Sequence, residues 1–114
     1  MRSLAPGTDE REALKQAVIN LLGLAQRSGA LKLGATAVSR AMREEPPGVV
    51  VLARNAGQDL VGKLERAHGG SLLVADLFTA EELASRFGRD RLSVVSVHVA
   101  GFVDGLKRHL SDTR

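Results

Sequence analysis

The sequence predicts an α/β fold, a three-layer α/β/α sandwich built on a four-stranded mixed sheet. Helix-like and strand-like segments alternate in the order αβαβαβαβα, which places helices on both faces of one sheet. Continuous apolar runs, such as that over 49–53, are typical of strands covered on both sides. The length suits one domain, which we assign to residues 12–111, between a flexible leader (1–11) and a frayed C-terminus (112–114).

The first two elements are a long helix and a short strand. Asp9 and Glu12 have the spacing of a capping box, which predicts a helix start, and apolar residues then recur at helical spacing. Ser28-Gly29 predicts the end of this helix. Residues 30–33 are predicted as a short strand, because Leu31 and Leu33 flank Lys32 at alternate positions. We expect so short a strand at an edge of the sheet or antiparallel to its neighbours.

The second helix is predicted over 35–44. Its outer face carries Thr36, Arg40 and Arg43, at steps of four and three residues. Pro46 ends this helix ahead of the first apolar run, because a proline disfavours helical geometry in the residue before it.

The second half continues the alternation. Thr79 and Glu82 form a capping box at the start of the fourth helix. The other predicted elements are a third helix from Gln58 or Asp59 to an exit at His68-Gly69-Gly70, a buried strand at 71–77, a strand at 92–99 and a closing helix over 102–110.

Positive charge is concentrated in the first half of the chain. Residues 1–57 hold eight basic and five acidic side chains, whereas residues 58–114 hold eight of each. Asp and Glu are absent from Ala13 to Arg43, a stretch with five basic residues. This distribution favours a polyanionic partner such as nucleic acid. A surface that merely keeps the protein soluble is the alternative.

The sequence contains no motif of a known catalytic or metal site. There is no cysteine, and the three histidines lack ligand spacing. Glycine-rich phosphate loops and the nucleophile elbow are also absent. We therefore expect no catalytic residue, no metal and no cofactor, and a protein that is not an enzyme. No apolar run is long enough for a membrane span, and no signal segment is visible, so we expect no membrane partner and a cytoplasmic location.

An anion site is predicted where the first strand meets the second helix. Gly34 ends the strand and opens the helix, so unpaired backbone N–H groups are expected there, with Lys32 ahead of them. Thr36 and Arg40 follow on the outer helix face, and their donors suit phosphate. In the alternative interpretation, Gly34 only permits an unusual dihedral angle, Thr36 caps the helix and the arginines are solvated.

Longer segments resemble a known family. The stretches "LLGLAQRSGALKLGATAVSRAMRE", "VVVLARNAG" and "TAEELASRFGRDRLSVVSV", followed by "GFVDGL", resemble the kink-turn-binding family of large-subunit ribosomal proteins (the seven-Ae and thirty-e type). The resemblance covers about Leu21 to Leu106 and is greatest to the small stand-alone bacterial members. It implies a thirty-e-like α/β/α domain that binds RNA through adjoining loops.

The resemblance also implies which residues contact RNA. The implied contacts are Gly34, Ala35, Thr36, Arg40, Arg54, Asn55, Gly88, Arg89 and Arg91, with Arg27 and Lys32 at the border. Two positions depart from the family: Thr36 stands where the family has Asn, and Ala37 where it has Glu or Gln. These departures favour recognition of phosphate and shape over direct reading of bases.

We therefore expect a non-catalytic protein that binds structured RNA, bent or looped and kink-turn-like, with ribosomal RNA as one partner. One alternative is a recognition module for a separate RNA-modifying enzyme, because ribose methyltransferases carry a similar small module. The other is a protein-interaction domain with a basic surface.

Overall fold

The computed structural model describes residues 6–67 and 70–111, and it has the predicted architecture. Five helices and four strands alternate along these ranges. Their bounds are α1 Pro6–Arg27, β1 Leu31–Leu33, α2 Ala35–Glu44, β2 Val49–Leu52, α3 Gln58–Ala67, β3 Leu72–Val74, α4 Ala80–Phe87, β4 Val94–Val97 and α5 Ala100–Ser111. His68 and Gly69 of the predicted exit His68-Gly69-Gly70, and the predicted frayed end at 112–114, lie outside the described residues.

The four strands form one mixed sheet in the order β1-β4-β2-β3. β4 runs antiparallel to both of its neighbours, whereas β2 and β3 are parallel. The register pairs Leu31 with Val97, and Val51 with both Val95 and Val74. The prediction that the first strand is an edge strand or antiparallel is confirmed, since β1 is both.

Alternate residues of the sheet serve two cores, because successive side chains of a strand point to opposite faces. On one face α1, α4 and α5 pack against Val49, Val51, Val95 and Val97. On the other face α2 and α3 pack against a smaller set, Val50, Leu52 and Val94. The sheet is therefore covered on both sides, and the three-layer sandwich is confirmed.

The first helix begins earlier than predicted. It starts at Pro6, so Asp9 lies inside the helix and the proposed Asp9–Glu12 capping box is wrong. Proline favours the first helical position, because its fixed φ suits a helix and its missing N–H would have no partner there. Residues 6–11, predicted as part of a flexible leader, are helical. Residues 1–5 of that leader lie outside the described part of the chain.

The predicted buried strand at 71–77 is wrong in length and in environment. Only Leu72–Val74 pairs with β2, and Leu72 is 39% exposed, because β3 is the outer strand of the sheet. The residues that follow do not belong to the strand. Leu77 and Phe78 lie in the loop that precedes α4, and their side chains are buried in the core. The capping box at Thr79 and Glu82 is confirmed, with both reciprocal hydrogen bonds present.

A buried network of two hydrogen bonds lies at the C-terminal end of β4. His98 lies just beyond β4 and is 4% exposed. Its Nδ1 lies 2.9 Å from the carbonyl oxygen of Pro46, and its Nε2 lies 2.9 Å from the Ser96 hydroxyl oxygen. A carbonyl only accepts, so Nδ1 donates, and in the neutral ring Nε2 then accepts from Ser96. His98 therefore has a structural role.

Candidate nucleic-acid interface

Three connections meet at one end of the sheet because β4 lies between β1 and β2. The backbone N–H of Gly34, just after β1, donates to the carbonyl of Val94 (2.9 Å). The N–H of Ala53, just after β2, donates to the carbonyl of Ser93 (2.7 Å). The β1–α2 turn and the β2–α3 loop are thus each hydrogen-bonded to the segment that enters β4, through the neighbouring carbonyls of Val94 and Ser93. We call this end of the molecule the loop end.

The start of α2 presents free backbone donors at the loop end. Gly34 precedes the helix with φ 91° and ψ 163°, and no side chain caps it. Within the described part of the chain, the amides of Ala35, Thr36 and Ala37 have no acceptor, and Val38 is the first whose N–H is bonded. The first turn also lacks an acidic residue. Orphan donors and the positive end of the helix dipole make this turn suited to an anion.

Two exposed side chains of α2 extend this surface. Thr36 and Arg40 are exposed and lie one turn apart, about 6 Å along the helix axis. Thr36 does not cap the helix, contrary to the alternative interpretation of its role. Arg40 forms no ion pair with any described residue, so its guanidinium remains available.

The β2–α3 loop contributes one exposed cation and one side chain with a structural role. The backbone N–H of Arg54 donates to Phe78 (2.8 Å), and its side chain is exposed. Asn55 is held at both ends of its amide: Oδ1 accepts from the N–H of Ala80 (2.8 Å), and Nδ2 donates to Glu81 (3.1 Å). Asn55 therefore fixes this loop to the start of α4.

The α4–β4 connection supplies two further cations. Gly88 ends α4 in the left-handed conformation (φ 68°), and the next N–H, of Arg89, donates back to Ala84 (2.9 Å). The side chains of Arg89 and Arg91 are exposed, whereas Leu92 is buried and anchors the segment. The glycine thus sets the direction in which the basic loop leaves the helix.

The start of α4 adds two carboxylates close to the β2–α3 loop. Hydrogen bonds lower the pKa of Glu81: the main cause is its own backbone N–H, followed by the Asn55 amide. The pKa of Glu82 is lowered chiefly by the hydrogen bond from Lys15 (2.9 Å), then by the Thr79 N–H, with a smaller contribution from the charge of Arg54. Both carboxylates are thus occupied by contacts within the protein.

The two border residues lie away from the loop end. Arg27 is exposed at the C-terminus of α1, ahead of β1, so the whole strand separates it from Gly34. Lys32 pairs with Glu45 (3.2 Å) beyond the C-terminal end of α2, about 15 Å along that helix from its first turn. Of the predicted residues, the structure brings together those of the β1–α2 turn (Gly34, Ala35, Thr36) and those of the β2–α3 loop (Arg54, Asn55), with Arg40 one turn further along α2. Gly88, Arg89 and Arg91 lie in the connection that leads back to β4 at this end, whereas Arg27 and the ammonium group of Lys32 point to other parts of the molecule.

Sequence reasoning missed the backbone groups that hold the loop end together. The carbonyls of Ser93 and Val94 accept from the two flanking turns. No side-chain pattern marks such acceptors, because they follow from strand order, which requires β4 to lie between β1 and β2. The link between Asn55 and α4 also joins residues distant in sequence.

Comparison with known proteins identifies the fold. No family model and no curated protein matches the sequence. A protein of unknown function from Bacillus halodurans is similar in structure, with TM-score 0.72 and 26% identity over 82% of this chain and 96% of that chain. A Giardia lamblia 15.5kD RNA binding protein is similar with TM-score 0.68 and 19% identity, over 89% of this chain and 84% of that one. The chain shares its fold with an RNA-binding protein.

Two other kinds of feature, a metal site and a membrane-spanning helix, are absent from the described residues. They contain no group of three His, Cys, Asp or Glu side chains placed to hold a metal ion. None of the helices in the described ranges has the length and apolar content that a membrane crossing requires.

Proposed function

We propose that this protein binds structured RNA without catalysing a reaction, and that it recognises bent or looped, kink-turn-like elements through the loop end. The observation that carries the proposal is the turn of free amides at Ala35–Ala37, which β4 holds beside the β2–α3 loop, with Arg40 and Arg54 exposed on these two elements. Arg89 and Arg91 are exposed in the connection that leads into β4. The fold shared with a Giardia lamblia RNA binding protein supports it.

The chemistry of the loop end favours phosphate and shape recognition. Backbone amides and guanidinium groups bind phosphate oxygens irrespective of sequence. Thr36 is short, and the side chain of Ala37 has no polar atom, so few hydrogen bonds to base edges are available from α2. A sharply bent RNA brings phosphates of both strands close together, which suits cations from three separate connections.

The test is a salt titration of binding to two labelled RNA hairpins. One carries a bent internal loop with tandem sheared G·A pairs, and the other has the same length and is fully paired. Four contacts, one to each arginine, would give a slope of log affinity against log salt of about −3. We expect the bent hairpin to bind more tightly, because its geometry presents those phosphates together.

A matched pair of variants assigns the binding to the loop end. Arg40→Glu and Arg108→Glu change the net charge equally, but Arg108 lies on α5, on the opposite face of the sheet. We expect Arg40→Glu to weaken binding by about tenfold or more and Arg108→Glu to change it little. No binding of the wild type to either hairpin, or equal effects of the two variants, would overturn the proposal.

We also propose that the RNA in the cell is ribosomal. The protein should then sediment with ribosomal subunits in low salt and leave them in high salt, because phosphate contacts weaken with ionic strength. Arg40→Glu should remain in the soluble fraction at both salt concentrations. Sedimentation of Arg40→Glu with subunits as efficient as that of the wild type would contradict ribosome binding through the loop end.

A further inference from the structure

A second basic surface lies at the opposite end of α2. The C-terminal halves of α2 and α3 enclose an open groove of about 640 Å³. Its lining consists of Met42, Arg43, Glu45, Lys63, Arg66 and Ala67. We call it the α2–α3 groove. It is separated from the loop end by the length of α2, about 15 Å, and belongs to none of the connections described above.

The groove retains a positive charge. Three of its lining residues are cations, and one, Glu45, is a carboxylate. That carboxylate is paired with Lys32 of β1 at 3.2 Å, which reduces the negative charge that it presents to the groove. Lys63 and Arg43 are exposed and form no ion pair with other described residues.

Helix stabilisation accounts for only part of this arrangement. Arg43 and Arg66 lie in the last turns of their helices, where a cation complements the dipole. Lys63 lies a turn ahead of the end of α3, yet it lines the same groove. The lining also includes the buried side chain of Met42, so the exposed cations of the groove lie next to apolar surface. Exposed cations around an open groove suit an extended polyanion.

The outer face of α2 connects the groove to the loop end. Thr36, Arg40 and Arg43 follow one another at steps of four and three, so they share one face of the helix. A ligand held at the first turn can therefore follow this face to the groove. Since an A-form RNA duplex rises by about 2.8 Å per base pair, the 15 Å length of α2 corresponds to about five base pairs.

We propose that the α2–α3 groove is a second phosphate-binding surface, which holds the duplex stem flanking the RNA element bound at the loop end. This inference rests on the proposed function and extends it. Contacts to this stem depend on its length: a stem shorter than about five base pairs does not reach Lys63 and Arg66, and a longer stem does.

The test compares two RNA hairpins with the same bent internal loop and flanking stems of three or ten base pairs. Lys63→Gln/Arg66→Gln removes two charges from the groove, and Arg108→Glu changes the net charge by the same amount on the other face of the sheet. Affinity is measured for each pair over a range of salt concentrations. Thermal unfolding of each variant is compared with that of the wild type.

The wild type should bind the long-stem hairpin more tightly, with a salt slope steeper by about 1.4–1.8 for two additional contacts. The double variant should lose about tenfold in affinity for the long-stem hairpin and little for the short one. Arg108→Glu should show no such difference between the hairpins. If the double variant unfolds, the affinities and salt slopes of the wild type for the two hairpins still test whether the groove contacts the stem.

Two outcomes separate the inference from the proposed function. Equal affinities and salt slopes of the wild type for both hairpins would overturn the groove contact and leave RNA binding at the loop end intact. Equal losses by the double variant on both hairpins would also overturn it. Failure of the wild type to bind either hairpin would overturn both proposals.

Discussion

Replacing Gly34 by alanine tests whether the start of α2 is held in a conformation that other residues avoid. Gly34 has φ 91° and ψ 163°, a region of backbone conformation that is essentially restricted to glycine. A Cβ built at this position meets no atom within 4 Å. The substitution therefore introduces backbone strain without a steric clash elsewhere in the protein.

The expected cost follows from the two ways in which the chain can respond. If the backbone keeps its conformation, alanine pays about 1–3 kcal/mol of torsional strain. If the backbone relaxes, the hydrogen bond from Gly34 to Val94 (2.9 Å) is lost, at about 0.5–1.5 kcal/mol, and the first turn of α2 shifts with it. The substitution should therefore lower the free energy of unfolding by about 0.5–3 kcal/mol, depending on which response is cheaper. Each kcal/mol corresponds to roughly 4 °C in Tm for a domain of this size.

The assay is urea unfolding followed by circular dichroism. Gly105→Ala serves as the control, because it should raise the free energy of unfolding whereas Gly34→Ala should lower it. Gly105 lies inside α5, and an added Cβ would make an ordinary 3.5 Å contact with Leu21. Alanine should stabilise this helix by about 0.5–1 kcal/mol. If Gly34→Ala matched the wild type while Gly105→Ala showed its gain, the backbone strain assigned to the turn before α2 would be refuted.

Three further predictions concern the rest of the fold. Gly48→Ala should lower the free energy of unfolding by about 3 kcal/mol or more in urea titration, because its Cβ would lie 2.0 Å from the Val97 carbonyl oxygen; a loss below 1 kcal/mol would contradict that clash. Ser39→Ala should raise it by about 0.5–1 kcal/mol, because the buried hydroxyl has no partner among the described residues; destabilisation would show that the hydroxyl is paired. Glu82→Gln should cost about 0.3–0.5 kcal/mol near pH 7, since the Lys15 pair is partly exposed. The lowered pKa of Glu82 means that this difference should disappear as the pH falls from above 4.5 through the folded-state value, and a difference that persisted at about pH 2 would contradict this assignment.

The alternation of periodicities was sufficient to predict the fold class, whereas two element limits depended on information that periodicity lacks. The capping box of α4 was predictable because both of its partners, Thr79 and Glu82, are local. The predicted start of α1 is wrong because the spacing of Asp9 and Glu12 fits two situations. The same two residues can form a capping box at a helix start or lie inside the first turns of a helix that has already begun, as they do here. The largely apolar segment 71–77 predicts a buried strand, because hydrophobicity alone does not distinguish a strand from a loop whose Leu77 packs in the core.

The candidate site was predictable where it depends on chain order and not where it depends on side-chain pairing. A glycine between a strand and a helix predicts free amides, and the structure has them after Gly34. The pairing of Lys32 with Glu45 was not predictable, because the two residues meet only when β1 lies beside the C-terminal end of α2. The double role of Asn55 likewise depends on the position of α4 relative to β2.

The structural arrangement of the loop end explains how the proposed RNA binding could tolerate Thr36 and Ala37 at positions where the family that the sequence resembles has Asn and Glu or Gln. Base-reading side chains supply discrimination, but the amides of the first turn of α2 exist whatever residues stand there. Their position is fixed by the hydrogen bond from Gly34 to Val94, which belongs to the sheet. Because the anion site is built from backbone anchored on β4, substitutions on the outer face of α2 should alter which RNA is preferred before they abolish binding. If both proposals hold, phosphate contacts along α2 compensate for base contacts that the loop end lacks. Stem length, more than loop sequence, should then control the affinity for RNA.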